Sequence, residues 1–314
     1  MNKIAFVFPG QGAQAVGMGK DFYDNYSEAK NVYEKSDDVL GYKISKVCFE
    51  GPEEDLKQTT NTQPAIVSTS IAMYEVLSKK TGIKPSYLAG HSLGEYCAMY
   101  AGGVLNLEDT IYLISKRAEA MSKVKGGSMA AVLNLDEEKL KACLKEASSK
   151  GYVDVANYNS PSQIVITGED EAVKFASELM TQAGARRVVP LAVSGAFHSK
   201  MMEGASREFA RALSNVNINN ANIPVVTNVD AELTTQSSDF IEKMPSQIYS
   251  SVQWTQSVQN MINEGVDTFV EIGPGKVLAG LIKKISPDVK VFNVFDIESL
   301  NSTVEALNSE FSAV

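Results

Sequence analysis

Gly90-His91-Ser92-Leu93-Gly94 is the stretch of this sequence whose residue types and spacing point most directly to chemistry. A serine with a glycine two residues away on either side suits a very tight turn from a strand into a helix, where neighbours of the serine must lack bulk. In that setting the serine stands exposed at the N-terminus of the following helix, whose dipole and free N–H groups favour a developing oxyanion. The same pattern also describes a plain glycine-rich turn. The strand-like residues 86–89 before it and the helix-like residues 94–101 after it favour the nucleophile.

A serine hydroxyl is a weak nucleophile unless a neighbouring base takes its proton, and histidine does so most often near neutral pH. The chain has two histidines, His91 and His198. His91 adjoins the serine, where a strained turn sends successive side chains in different directions, so His198 is the candidate base. Serine before histidine is also the chain order of hydrolase-like α/β folds. No motif marks a third member: an acid between residues 92 and 198, a backbone carbonyl or an amide side chain would each orient the imidazole.

Two further features face alternatives that the residues alone leave open. The loop Gly10-Gln11-Gly12-Ala13-Gln14-Ala15-Val16-Gly17 has neither dinucleotide nor P-loop spacing, with Met18 where a P-loop needs lysine, which disfavours nucleotide binding. It is either a simple tight turn or a source of a backbone N–H for a reacting centre. Arg117 lies at the edge of an apolar helical stripe, where a guanidinium either snorkels to water or is held for a bidentate contact with a carboxylate.

The elements that must position these residues follow an α/β order. Residues 3–8 read as a buried strand closed by Pro9-Gly10, and residues 64–80 as a helix with Pro64 in its first turn. Asn106 reads as an N-cap for a helix through about residue 123, with Ile111, Ile114, Ala118 and Met121 as its inner stripe. Residues 128–194 read as strand, helix, strand, strand, helix, strand, with a turn at 159–162; this is the ferredoxin-like order and marks an inserted subdomain. The expected division is a discontinuous hydrolase-like catalytic core, 1–127 and 195–314, around a small subdomain, 128–194. Residues 223–228 and 268–272 read as strands returning to a parallel main sheet, and 301–314 as a terminal helix that frays.

Composition bounds the function. The 314 residues are 44% hydrophobic and 21% charged, ordinary for a globular enzyme. A net charge of -9 argues against nucleic acid as a partner. Three scattered cysteines, Cys48, Cys97 and Cys143, suit a reducing compartment, and with two histidines no metal site is expected. The opening residues lack a signal-peptide core, and no apolar run is long enough to span a membrane; a cytoplasmic protein is expected.

Taken together, Phe8-Pro9-Gly10-Gln11-Gly12, Thr62-Gln63-Pro64-Ala65, the stretch from Gly90 to Tyr96, Ala196-Phe197-His198, Asn228-Val229-Asp230, Val252-Gln253-Trp254 and Glu271-Ile272-Gly273-Pro274-Gly275-Lys276 resemble the malonyl-CoA:acyl carrier protein transacylases. The likeness runs from about residue 4 to 282. It implies a hydrolase-like core with a ferredoxin-like insert, Ser92 as acylated nucleophile and His198 as base. It implies that the Gln247 backbone carbonyl orients the histidine, that Gln11 and Leu93 give the oxyanion-hole N–H groups, and that Arg117 pairs with the malonyl carboxylate. Gln63 and Phe197 fall beside the substrate, the ring crowding the space of an α-methyl branch. No cofactor is implied, coenzyme A thioester being substrate. The expected partners are malonyl-CoA and an acidic acyl carrier protein, the chain itself a monomer supplying fatty acid biosynthesis. A trans-acting polyketide acyltransferase and a serine thioesterase or hydrolase are the rival readings.

Overall fold

The computed structural model describes residues 3–193 and 195–311. Its main sheet has six strands in the order β10-β9-β1-β2-β7-β8. These are β1 (Lys3–Phe8), β2 (Tyr87–Gly90), β7 (Val225–Val226), β8 (Leu233–Thr234), β9 (Val266–Ile272) and β10 (Lys290–Val294). All pairings are parallel except β7 with β8. Side chains along a strand alternate between faces. Ile4, Phe6 and Phe8 of β1 accordingly enter one core, and Ala5 and Val7 enter a second core on the opposite face with Trp254 and Leu281. Burial on both faces is what a parallel sheet covered by helices requires.

The second sheet, β4-β5-β3-β6, is antiparallel throughout: β3 (Ser128–Leu133), β4 (Val153–Ser160), β5 (Gln163–Gly168) and β6 (Arg187–Pro190). Helices Glu137–Ala147 and Asp170–Gln182 cover one face through Leu140, Cys143, Val173 and Met180. The other face sends Met129, Ala131 and Val165 into the main core. The Val252 carbonyl and N–H bond Tyr158 N–H and the Ala156 carbonyl, at 3.0 and 2.8 Å, and so join the end of β4 to the larger body. This is the ferredoxin-like order.

Several elements differ from the sequence expectation. The helix assigned to 64–80 begins five residues earlier, as Thr59–Thr81, with Pro64 inside it. The Thr60 carbonyl, which proline leaves without its helical donor, is approached by the Tyr42 hydroxyl at 3.5 Å. Strand β6 stops at Pro190, which has no N–H for the ladder, and Leu191 N–H makes the last bond, to Met129 O at 2.9 Å. The strand expected at 223–228 is only Val225–Val226, because Thr227 and Asn228 leave the sheet. Strand β4 runs through Asn159 and Ser160, narrowing the expected turn. Strands β8 and β10 were not anticipated. The terminal helix is Ile297–Phe311, and the fraying expected at its end lies outside the described residues. No helix among the described residues is long and apolar enough to cross a membrane.

Candidate active site

Adjacent parallel strands β1 and β2 end side by side, and their C-terminal loops carry Gln11 and Ser92. The crevice beyond the carboxyl ends of a parallel sheet is where α/β folds bind ligands. The turn after β2 closes so tightly that a Cβ on Gly90 would lie 1.9 Å from the Gly94 carbonyl carbon, and one on Gly94 would lie 2.3 Å from Phe8 O. Ser92 sits between them at φ 52°, a left-handed conformation costly for a side chain that is not glycine. Helix Gly94–Ala101 follows immediately.

The structure brings Ser92 and His198 together: Oγ lies 2.8 Å from Nε2. His198 is also left-handed, at φ 54°. Its Nδ1 faces two carbonyl oxygens, of Gln247 at 2.9 Å and Ser250 at 3.2 Å. Both can only accept, so Nδ1 carries the proton and Nε2 presents a lone pair to the serine hydroxyl. Gln247 ends helix Ser237–Gln247, so its carbonyl has no partner within the helix and is free for this role. Burial, and next the nearby Arg117 charge, push the His198 imidazole down to about 3, while the bonds to the two carbonyls oppose the shift. The ring is therefore neutral at physiological pH.

Arg117 does not snorkel from the edge of its helix, Leu107–Lys123; it is 1% exposed, among the largest buried side chains of the protein. Nη1 donates to Gln63 Oε1 at 2.5 Å, and Nη2 donates to Ser92 Oγ at 3.0 Å and to Gln247 Oε1 at 3.1 Å. Among the described residues Arg117 has no ion-pair partner, and its Nε has no hydrogen-bond acceptor. A buried guanidinium that hydrogen-bonds neutral amides and a hydroxyl, lies over the Tyr96 ring at 5.9 Å and feels Glu95 without an ion-pair contact is aimed at the nucleophile, the arrangement an anionic ligand would complete.

Gln11, Ser92, Arg117, Phe197 and His198 line one cavity of about 320 Å³. Gln63 and Gln247 stand behind Arg117, and Leu93, next to Ser92, is buried. Neither the Gln11 nor the Leu93 amide is bonded by a backbone carbonyl among the described residues. His91 also borders this cavity, but its Nε2 is on Asn159 Oδ1 at 2.7 Å and its ring lies against Trp254. A groove of about 530 Å³ between helix Asp170–Gln182 and β6 is larger but gathers none of these groups.

Two residues that sequence reasoning left without a role support the turn. Asn228 Oδ1 accepts the Ser92 N–H at 2.7 Å, and Asn228 Nδ2 donates to Gly90 O at 2.7 Å. Glu95 Oε2 in turn accepts the Asn228 N–H at 2.6 Å. Burial pushes the Glu95 carboxyl up to about 7, with the Asn228 bond, Gln247 and Arg117 pulling it back. Both residues stood in the stretches quoted for the resemblance, which was their only signal.

The model of the acyl transferase domain matches residues 5–296. The chain is 44% identical over 314 residues to the malonyl CoA-acyl carrier protein transacylase of Bacillus subtilis (strain 168), covering 99% of each. It is 39% identical over 288 residues to that of Escherichia coli (strain K12), covering 91% of this chain and 93% of the relative. Among solved structures, the transacylase of Clostridium perfringens superimposes with a TM-score of 0.94 at 41% identity, covering 98% of both chains. A malonyl-transacylase solved with a type II PKS acyl-carrier protein gives 0.94 at 37% identity, over 97% of this chain and all of the other.

Proposed function

This chain belongs to the acyl transferase family, and from that premise we propose that it moves the malonyl group of malonyl-CoA, through an ester on Ser92, to the thiol of an acyl carrier protein. In the first half-reaction Ser92 Oγ attacks the thioester carbon as His198 Nε2 takes the hydroxyl proton. The new C–O bond forms, the C–S bond breaks, and the proton passes from His198 to the departing sulfur. In the second half the carrier's thiol attacks the ester by the reverse route, returning the proton to Ser92.

The Gln11 and Leu93 amides face the oxyanion, Gln247 O holds the histidine tautomer, and Arg117 takes the malonyl carboxylate while Gln63 holds Arg117 in place. Phe197, 5% exposed on the cavity wall, limits room beside the α-carbon. The chemistry runs on side chains and backbone amides, coenzyme A entering only as substrate. The malonyl carrier so formed would supply fatty acid chain extension.

One observation carries this reading: the buried, unpaired Arg117 and the His198 base meet at the same serine oxygen, 3.0 and 2.8 Å away. A hydrolase has no use for a second carboxylate site there. The test is to supply malonyl-CoA with and without a carrier and compare malonyl-carrier formation with free malonate release. Transfer far exceeding hydrolysis supports the proposal; hydrolysis unaffected by the carrier contradicts it.

A further inference from the structure

We propose that Asn228 is a positioning residue for this reaction, its side-chain amide tying Ser92 to Gly90 at the start of the nucleophile turn so that Ser92 Oγ keeps its line of attack. The proposal rests on the acyl-serine reading above.

Asn228 is fully buried, and all four of its polar groups are engaged. Oδ1 takes the Ser92 N–H and Nδ2 gives to Gly90 O, each at 2.7 Å. Its own N–H goes to Glu95 Oε2 at 2.6 Å and its carbonyl accepts Gln253 N–H at 2.8 Å. The two partners of the side chain differ in kind, an N–H on one side and a carbonyl on the other, so only one orientation of the amide satisfies both. The staple holds the left-handed Ser92 by its own N–H and Gly90, two residues before it, by its carbonyl; such a conformation persists only where surroundings over-determine it. Asn228 lies two residues beyond the end of β7 at Val226, so the staple is anchored close to the main sheet beside β2.

Asn228 touches neither the acyl group's carboxylate partner nor the base. Its loss should therefore slow formation of the Oγ–carbon bond without weakening capture of malonyl-CoA. A displacement of about 1 Å at a reacting atom can cost ~100-fold in rate.

Asn228→Asp makes the inference testable through pH. As a neutral acid the introduced carboxyl reproduces both bonds, its carbonyl accepting from Ser92 N–H and its O–H donating to Gly90 O. Ionised, it has no donor and repels the Gly90 oxygen. The titratable and charged groups around it are Glu95, whose own carboxyl is raised to about 7 and which disfavours the ionised form once charged, Asp230, which with burial also favours the neutral form, and Arg117 and Lys243, which oppose it; His198 is neutral. The measurement is the single-turnover rate of Ser92 acylation by malonyl-CoA, expressed as the ratio of variant to wild type between about pH 5 and 9, so that ionisations shared by both proteins drop out. The ratio should be ~100-fold below unity at alkaline pH and rise as pH falls through the new ionisation, with KM for malonyl-CoA little changed. A ratio that does not vary with pH, or a loss confined to KM, overturns the proposal.

Asn228→Ala removes both bonds without adding charge. Its rate should fall by a similar factor at every pH with KM kept, and a wild-type rate overturns the proposal even if the aspartate variant is poorly folded. Wild-type protein run in parallel separates the two readings: failure of wild-type Ser92 to acylate refutes the function, whereas normal wild-type acylation with unaffected variants refutes only the staple.

Discussion

The Gln247 carbonyl oxygen accepts from His198 Nδ1 at 2.9 Å, in the position where many serine enzymes place a carboxylate. The imidazolium formed during transfer is thus stabilised by a neutral dipole, and the Gln247 side chain is left for another task. It bridges Arg117 Nη2 at 3.1 Å and the Ser92 carbonyl at 3.0 Å.

Because the acceptor for His198 is main chain, Gln247→Ala should leave the base in place and remove the bridge together with the side chain's bond to Glu95. A hydrogen bond to a charged group contributes about 1.5–3 kcal/mol, so kcat/KM for malonyl-CoA should fall ~10–150-fold, mainly through KM. Steady-state kinetics with malonyl-CoA and acetyl-CoA check this; an equal loss for both substrates would place the effect on the base instead.

Arg117→Ala should reverse acyl preference. Truncating one partner of a buried, hydrogen-bonded charge pair costs about 2–5 kcal/mol, a ~30- to 5000-fold loss in kcat/KM for malonyl-CoA. Acetyl-CoA, with no carboxylate, should be spared or improved. Measuring both thioesters under identical conditions decides the matter, and an unchanged malonyl-to-acetyl ratio would remove Arg117 from carboxylate recognition.

The two histidines permit a direct reading of the base. Burial depresses both imidazoles, and for His198 the Arg117 charge adds to it. A base must be neutral to act, and a lowered pKa extends its neutral form to lower pH. Ring-proton NMR should therefore show His198 neutral through pH 6.5 and below, with Arg117→Ala moving its titration upward. A resonance titrating at about 6.5 in wild type and lost in His198→Ala would contradict this account.

Glu271 offers a stability prediction away from the cavity. Its carboxylate accepts from Leu278 N–H at 3.0 Å, Ala279 N–H at 2.8 Å and Asn293 Nδ2 at 3.0 Å, yet burial still pushes it up to about 7. A carboxyl raised from 4.5 to about 7 on folding gives its stabilisation fully below 4.5 and loses it as pH rises through 7. Unfolding midpoints should accordingly decline across that window, and Glu271→Gln, which has no charge to bury, should flatten the decline. An identical pH slope in both proteins would show that Glu271 is not responsible.

What the sequence disclosed was local. The glycines at 90 and 94 and the short apolar run before them define strand, turn and helix around Ser92 within a few residues. Asn106 caps its helix by accepting Asp109 N–H at 2.7 Å, a bond readable from spacing alone. The order of strands and helices read over residues 128–194 was equally sufficient for the small sheet. What stayed hidden depends on distant partners. The burial of Arg117 follows from Gln63 and Gln247 closing over it, 54 and 130 residues away, which no helical stripe can reveal. The Asn228 staple spans 136 residues to Ser92. Strands β7 and β8 are two residues each, too short to carry a period. Pro64 misled because proline is most often found in a helix's first turn, whereas here Thr62 Oγ1 bonds Leu56 O at 2.6 Å and ties an earlier turn to the preceding segment.

The most direct test of the mechanism is the mass of the intact protein after brief exposure to malonyl-CoA, followed by peptide mapping. One malonyl group should appear on Ser92, vanish when a carrier thiol is added, and be absent from Ser92→Ala. Release of coenzyme A without any adduct on wild type, or an adduct that persists in Ser92→Ala, would contradict the acyl-serine account.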